Sequence, residues 1–185
     1  MLCLQSWTKA DDIRDFQIEG MSIGESLLNY LTKEQIIKSK RNYFKNKRKY
    51  YAVGYNNILN QYDTLDIYLS ANDNNYMIKS IIGFKFINME KCLLQKKTIV
   101  NQIKELFKNA KRHDNPRAIH EADITGNSIE NQTAFLLDGN LNGNFVKVSC
   151  TDWSDKITKE KNWIDNLGIS ASSKEITKWM NSGYE

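Results

Sequence analysis

The chain has 185 residues, 41% of them hydrophobic and 26% charged, with a formal net charge of +4. That length can bury a core without staples, and a single Pro with nine Gly leaves no flexible or polyproline linker, so residues 11–185 are expected to form one domain. The mildly basic charge falls short of a nucleic-acid-binding footprint and no run approaches the ~18 apolar residues of a membrane span, which argues against nucleic acid as a partner and against a spanning helix.

Residues 1–10, MLCLQSWTKA, read as the tail of a signal peptide, because Thr8-Lys9-Ala10 places small residues at the two positions that signal peptidase inspects. The positive n-region and the apolar h-region are missing, and the alternative is a short N-terminal segment of a cytosolic protein. Cleavage after Ala10 predicts a periplasmic or extracellular protein. It also removes Cys3 and leaves Cys92 and Cys150, which an oxidising compartment would join as one disulfide. The alternative is two buried free thiols, since neither cysteine lies in a CxxC or zinc-ligand spacing.

Along the chain, Asp11 to Phe16 reads as strand-like. Ser22-Ile23-Gly24-Glu25 and Thr32-Lys33-Glu34-Gln35 each have the spacing of a capping box ahead of a short helix. Three β-type runs follow at Tyr50–Tyr55, Thr64–Ser70 and Tyr76–Ile87, the last two joined by the polar hairpin loop Ala71–Asn75. From Met89 to Ala110, Cys92, Leu93, Ile99, Val100, Ile103, Leu106, Phe107 and Ala110 recur at helical spacing, which predicts one long amphipathic helix on a sheet. Lys108, Lys111 and Arg112 then supply the charges that a helix C-terminus favours. His113 to Asn131, punctuated by Pro116 and Gly126, predicts the longest irregular segment. Beyond it, Thr133–Leu137 and Phe145–Cys150 read as a second hairpin. Leu167–Ala171 reads as a further strand, and Ser172 with Glu175 as the capping box of a closing helix. Hairpins in place of βαβ units predict an α+β fold: an antiparallel sheet packed against one long amphipathic helix and short terminal helices.

Four stretches carry a resemblance. Ile18-Glu19-Gly20-Met21-Ser22-Ile23-Gly24-Glu25-Ser26-Leu27-Leu28, the Cys92 helix, His120 through Gly126 and Cys150-Thr151-Asp152-Trp153-Ser154 resemble an uncharacterised family of small exported bacterial proteins. The opening, an apolar strand into GMSIG and a short helix, is also similar to BamE-like and β-lactamase-inhibitor-like domains. These resemblances imply a non-catalytic binding or accessory module of the bacterial envelope, acting on an unknown protein or small ligand.

The ligand-type residues cluster at His113-Asp114, His120-Glu121 and Asp123, where imidazole and carboxylate together could hold a borderline cation or serve a metal-dependent enzyme centred on His120 and Asp123. The spacing lacks the i, i+4 histidine pair of HExxH, and the alternative is a polar loop capping its own backbone. A second candidate is the basic stretch Lys38, Lys40, Arg41, Lys45, Lys47, Arg48 and Lys49, interleaved with Tyr43, Phe44, Tyr50 and Tyr51, which could bind an anionic polymer or single-stranded nucleic acid. Lysines that discourage pairing along an edge strand account for the same residues. Trp153, Trp163 and Trp179 are groove or core candidates. Asn131-Gln132-Thr133 matches a glycosylation sequon. GxGxxG, P-loop and EF-hand patterns are absent, so no cofactor is expected.

Overall fold

In the computed structural model, which describes residues 12–41, 43, 49–56 and 59–182, the first described element is a 3₁₀ turn at Ile13–Asp15 rather than the expected strand. Asp12 caps it by accepting from the Arg14 amide at 2.9 Å, while the Asp15 carboxylate accepts from the Asp12 amide at 3.4 Å. Closely spaced aspartates satisfy local amides this way and so compete with a ladder. Strands β1 (Gln17–Ile18) and β2 (Met21–Ser22) form a hairpin whose turn residues, Glu19 at φ 51° and Gly20 at φ 79°, both take the left-handed conformation that a two-residue primed turn requires.

The first predicted helix is reduced to a 3₁₀ turn at Leu27–Asn29. Glu25 does reach back to the Ser22 amide at 3.0 Å, but Gly24 at φ 86° turns the chain out of helical space, and Ser26 becomes the cap. The second box forms in full: Thr32 and Gln35 exchange bonds at the start of α1 (Lys33–Lys38).

The main sheet is built from β3 (Lys40–Arg41), β4 (Tyr50–Tyr55), β5 (Thr64–Ser70), β6 (Ile78–Phe86), β7 (Lys111–Ile119), β8 (Ile129–Leu136), β9 (Phe145–Asp152) and β10 (Asn166–Ser172). Its order is β3-β4-β5-β6-β10-β9-β8-β7 and every neighbouring pair is antiparallel. The predicted α+β architecture is therefore observed. Helix α2 (Met89–Leu106) follows β6 and lies across β8, β9 and β10. The short α3 (Asp155–Lys161), which periodicity did not reveal, joins β9 to β10, and α4 (Lys174–Asn181) closes the chain.

Register assigns the faces. Val146, Val148 and Cys150 of β9 lie opposite Ala171, Ile169 and Leu167 of β10, and these side chains form the main core with Ile67, Leu69, Ile99, Val100 and Ile103. Cys92 in the first turns of α2 is joined to Cys150 by a disulfide, with Cα atoms 5.7 Å apart, so the helix is cross-linked to a central strand. The predicted pairing is observed. Among the described residues no helix is long and apolar enough to cross a membrane.

Four sequence expectations are corrected. His113 to Asn131 is not one irregular segment: its first seven residues belong to the edge strand β7 and the chain turns at His120–Ser128 into β8. An edge strand exposed on both faces needs no apolar alternation, and Pro116 is tolerated there at the register break between Asn115 and Ala118. The long helix ends at Leu106, so Lys111 and Arg112 belong to β7 instead of a helix terminus. Leu93, expected in the core, is exposed, while Lys96 is buried. Ser172 does not cap α4; it is buried beside Ser80 with the hydroxyls 2.7 Å apart, Ser173 takes the cap position, and Glu175 pairs with Lys79 at 2.7 Å.

Candidate functional site

The side chains that alternate with the α2 core residues point to the opposite face of the sheet. There α4 covers the β4–β6 region: Ile176 and Trp179 pack with Tyr50, Ala52 and Tyr68, the Tyr50 and Trp179 rings 5.0 Å apart. Away from α4 the same face turns polar. One row across the strands carries Phe86, Asn166, Thr151 and Glu130, and the next carries Phe84, Gly168, Ser149 and Gln132. Period-2 polar residues ordinarily mark a water-facing side, yet Glu130, Ser149, Thr151, Asn166 and Ser170 are all buried.

Burial of this strip is matched by internal pairing. Glu130 receives the Gln132 amide and the Ser149 hydroxyl, and Lys147 Nζ lies 3.6 Å from its carboxylate. Burial alone would raise the Glu130 pKa; Lys147, Gln132, Ser149 and the nearby His120 outweigh it and hold the group below its ordinary value. Asn166 donates its Nδ2 to the Ile164 carbonyl at 2.9 Å, but its buried Oδ1 has no hydrogen-bond partner. Gly168 sits between these groups and is closely packed. A Cβ built there would lie 3.1 Å from Ser149 Oγ and 3.8 Å from both Asn166 Oδ1 and Phe84.

The alternation continues past the strand ends and carries His120 and Trp153 to the same face. Their rings are 4.3 Å apart, Trp163 lies 4.6 Å beyond Trp153, and Lys161 Nζ stands 4.4 Å from the Trp163 ring. Trp153 and Trp163 are half-buried, whereas Trp179 is core. Burial lowers the His120 pKa, opposed by Glu130, and so favours the neutral imidazole.

The metal candidates separate. Asp123 is turned into its own loop: Oδ1 accepts from the Thr125 amide and hydroxyl at 2.9 and 2.6 Å, and Oδ2 from the Ser128 amide and hydroxyl and the Ser154 hydroxyl at 2.9, 2.6 and 2.9 Å. These bonds, Ser128 first, depress its pKa. His120 Nδ1 accepts from the Ala122 amide at 3.2 Å, so the two side chains serve one turn without a shared centre. Asp114 pairs with Arg112 at 2.9 Å and accepts from Thr133 at 2.7 Å on the α2 side, while His113 is exposed on β7. Among the described residues no group of three or more His, Cys, Asp or Glu is placed to hold a metal ion.

Of the basic stretch, Lys45, Lys47 and Arg48 lie outside the described residues. Lys40 stands 4.1 Å over the Tyr51 ring, Lys49 6.0 Å from the Tyr50 ring, and Arg41 bonds the buried Asp66 at 2.8 Å. Tyr43 also donates to Asp66, at 3.0 Å. On the α2 side, buried Lys96 donates to Asn131 Oδ1 at 2.6 Å, and desolvation lowers its pKa to about 8. Asn131 Nδ2 donates to the Pro116 carbonyl at 3.0 Å, which closes both ends of the amide in the sequon.

Neither residue type nor spacing marks Glu130, Ser149, Asn166 or Gly168 in the sequence. The visible signal was the alternation in Asn166-Leu167-Gly168-Ile169-Ser170-Ala171-Ser172, which reads as a half-solvated strand until burial is known. No protein-family model, no curated protein and no solved structure matches this chain.

Proposed function

We propose that this chain is an exported, non-catalytic binding module whose ligand surface is the polar strip opposite α2. The observation that carries the reading is the buried Asn166 Oδ1, which has no hydrogen-bond partner in the row it shares with Thr151 and Glu130. Native proteins pair nearly all buried acceptors, so an orphan acceptor supports a place kept for a donor from outside the chain. The Cys92–Cys150 disulfide supports an oxidising compartment, periplasmic or extracellular.

Against the metal-dependent reading, every Asp123 acceptor position of good geometry is already filled by a hydroxyl or amide of the same loop or Ser154. Against the anionic-polymer reading, Arg41 is already paired with the buried Asp66 at 2.8 Å.

The test is a ¹⁵N-labelled full chain titrated with a mixed library of saccharides, short peptides and small metabolites. Compounds should shift the Asn166 side-chain amide and the Gly168 and Ser149 backbone amides ahead of all others. Shifts confined to the β3–β4 edge or to the Asp123 loop would reject the strip as the binding surface.

A further inference from the structure

We infer that the outer edge of β7 is a docking site for an acidic, extended segment of another polypeptide, which joins the sheet there as a further strand. This surface is separate from the polar strip and does not depend on it.

Topology argues first. The open order of the sheet leaves two outer strands, β3 and β7, each with a partner on one side only. Strand β3 has two residues, too few for a ladder, and its Arg41 side chain is turned back to Asp66. Strand β7 has nine, and Lys111, Arg112, His113 and Asp114 at its start are all exposed. Alternate residues of an outer strand turn their N–H and C=O away from the sheet, a row that templates pairing with a further chain.

Register limits the usable length. Lys111 to Asn115 lie one to one opposite Leu136 to Gln132, and the shift falls between Asn115 and Ala118. Pro116 there has no N–H to offer, and its carbonyl already accepts from Asn131 Nδ2 at 3.0 Å. The regular segment that remains has five residues, the length of an ordinary strand.

Charge then selects the occupant. Lys111, Arg112 and Arg117 are accompanied on β7 by a single carboxylate, Asp114. That carboxylate is occupied by Arg112 at 2.9 Å and by the Thr133 hydroxyl at 2.7 Å. Lys111 and Arg117 are exposed and form no ion pair among the described residues. A second copy of β7 would bring the same excess of cations against this one, and like charges across a pair of strands are destabilising. A segment with Glu or Asp at alternate positions reverses the sign and gives both cations a partner. Charges that keep like edges apart thus leave this edge open to an acidic strand. A nucleic-acid backbone fails on the other half of the chemistry. Its phosphates offer acceptors alone and turn them on the outward carbonyls, whereas a peptide supplies both N–H and C=O.

The experiment titrates the ¹⁵N-labelled full chain with capped heptapeptides that alternate glutamate with valine, threonine or tyrosine. It repeats the titration with their lysine counterparts, with forms N-methylated at every residue, which keep the charge but cannot donate to a ladder, and with a single-stranded oligothymidylate. At least one glutamate peptide is expected to shift the Lys111–Asn115 backbone amides and to protect those facing outward from hydrogen exchange. Its N-methylated form and its lysine counterpart should each bind about tenfold more weakly. The double variant Lys111→Glu with Arg117→Glu, changed only at exposed positions, should lose the glutamate peptides and take up the lysine ones. The dispersion of its amide spectrum reports that it is folded. Equal binding of the N-methylated form would reduce the contact to charge attraction and overturn strand addition. Oligothymidylate shifts at Lys111–Asn115 without peptide shifts would overturn the choice of partner in favour of nucleic acid. Silence of these amides toward every glutamate peptide, or a preference untouched by the charge reversal, would overturn the docking site itself.

Discussion

The two faces of one sheet obey different rules. Along β9, Val146, Val148 and Cys150 alternate with Lys147, Ser149 and Thr151, and all but Lys147 are buried. The α2 face is held by apolar contact and a covalent link, so each of its residues contributes mainly through the surface it removes from water. The opposite face is buried while polar, so its residues stand or fall by whether partners are present. What the difference teaches is how buried polar groups are met: on the α2 side Lys96 is paired with Asn131, whereas the polar face retains an unpartnered acceptor, Asn166 Oδ1.

Breaking the cross-link tests the apolar side most severely. Converting both Cys92 and Cys150 to Ala frees a loop of 58 residues and should lower unfolding free energy by about 4 kcal/mol in the chain-entropy account, measured by guanidinium denaturation. A loss near zero would mean that packing alone fixes α2 on β9. A smaller contrast comes from adjacent residues of β10. Ile169→Ala should cost about 3 kcal/mol, whereas Ser170→Ala, one position away on the polar face, should cost roughly 1 kcal/mol. Equal losses would erase the distinction between the faces.

The mildest probe is pH. Burial holds the His120 pKa below its ordinary 6.5, so the unfolded chain binds more protons than the native one as pH falls through that value. The contribution of neutral His120 is complete above about 6.5 and is lost progressively on acidification toward its lowered native pKa. His120→Gln should flatten that part of the stability profile, read from thermal melts between pH 7 and about pH 5. An unchanged slope would assign the acid sensitivity to other groups.

Much of the framework is legible in the residues. Tyr50–Tyr55 and Thr64–Ser70 coincide with β4 and β5, because β-branched and aromatic residues at period 2 leave few other ways to bury one side. The α2 stripe and the Thr32–Gln35 box are legible for similarly local reasons. Strand β7 is not, since Lys111-Arg112-His113-Asp114-Asn115-Pro116 has no apolar side and becomes a strand only because β8 offers its ladder. The site is legible only in part. His120 and Trp153 stood out by residue type, but their attachment to Glu130 and Asn166 rests on register across strands far apart in sequence.

By itself the sequence determined the α+β class, the long helix and the cysteine pair that could close, because hydrophobic period and residue chemistry are local properties. Tertiary structure decided that Lys96 is buried, that Asp123 serves its own loop, and that Glu130, Ser149, Thr151, Asn166 and Ser170 on the polar side of β8 to β10 are buried. The physical reason is that periodicity records which side of a strand is apolar, whereas the fate of the other side depends on what the rest of the chain brings beside it.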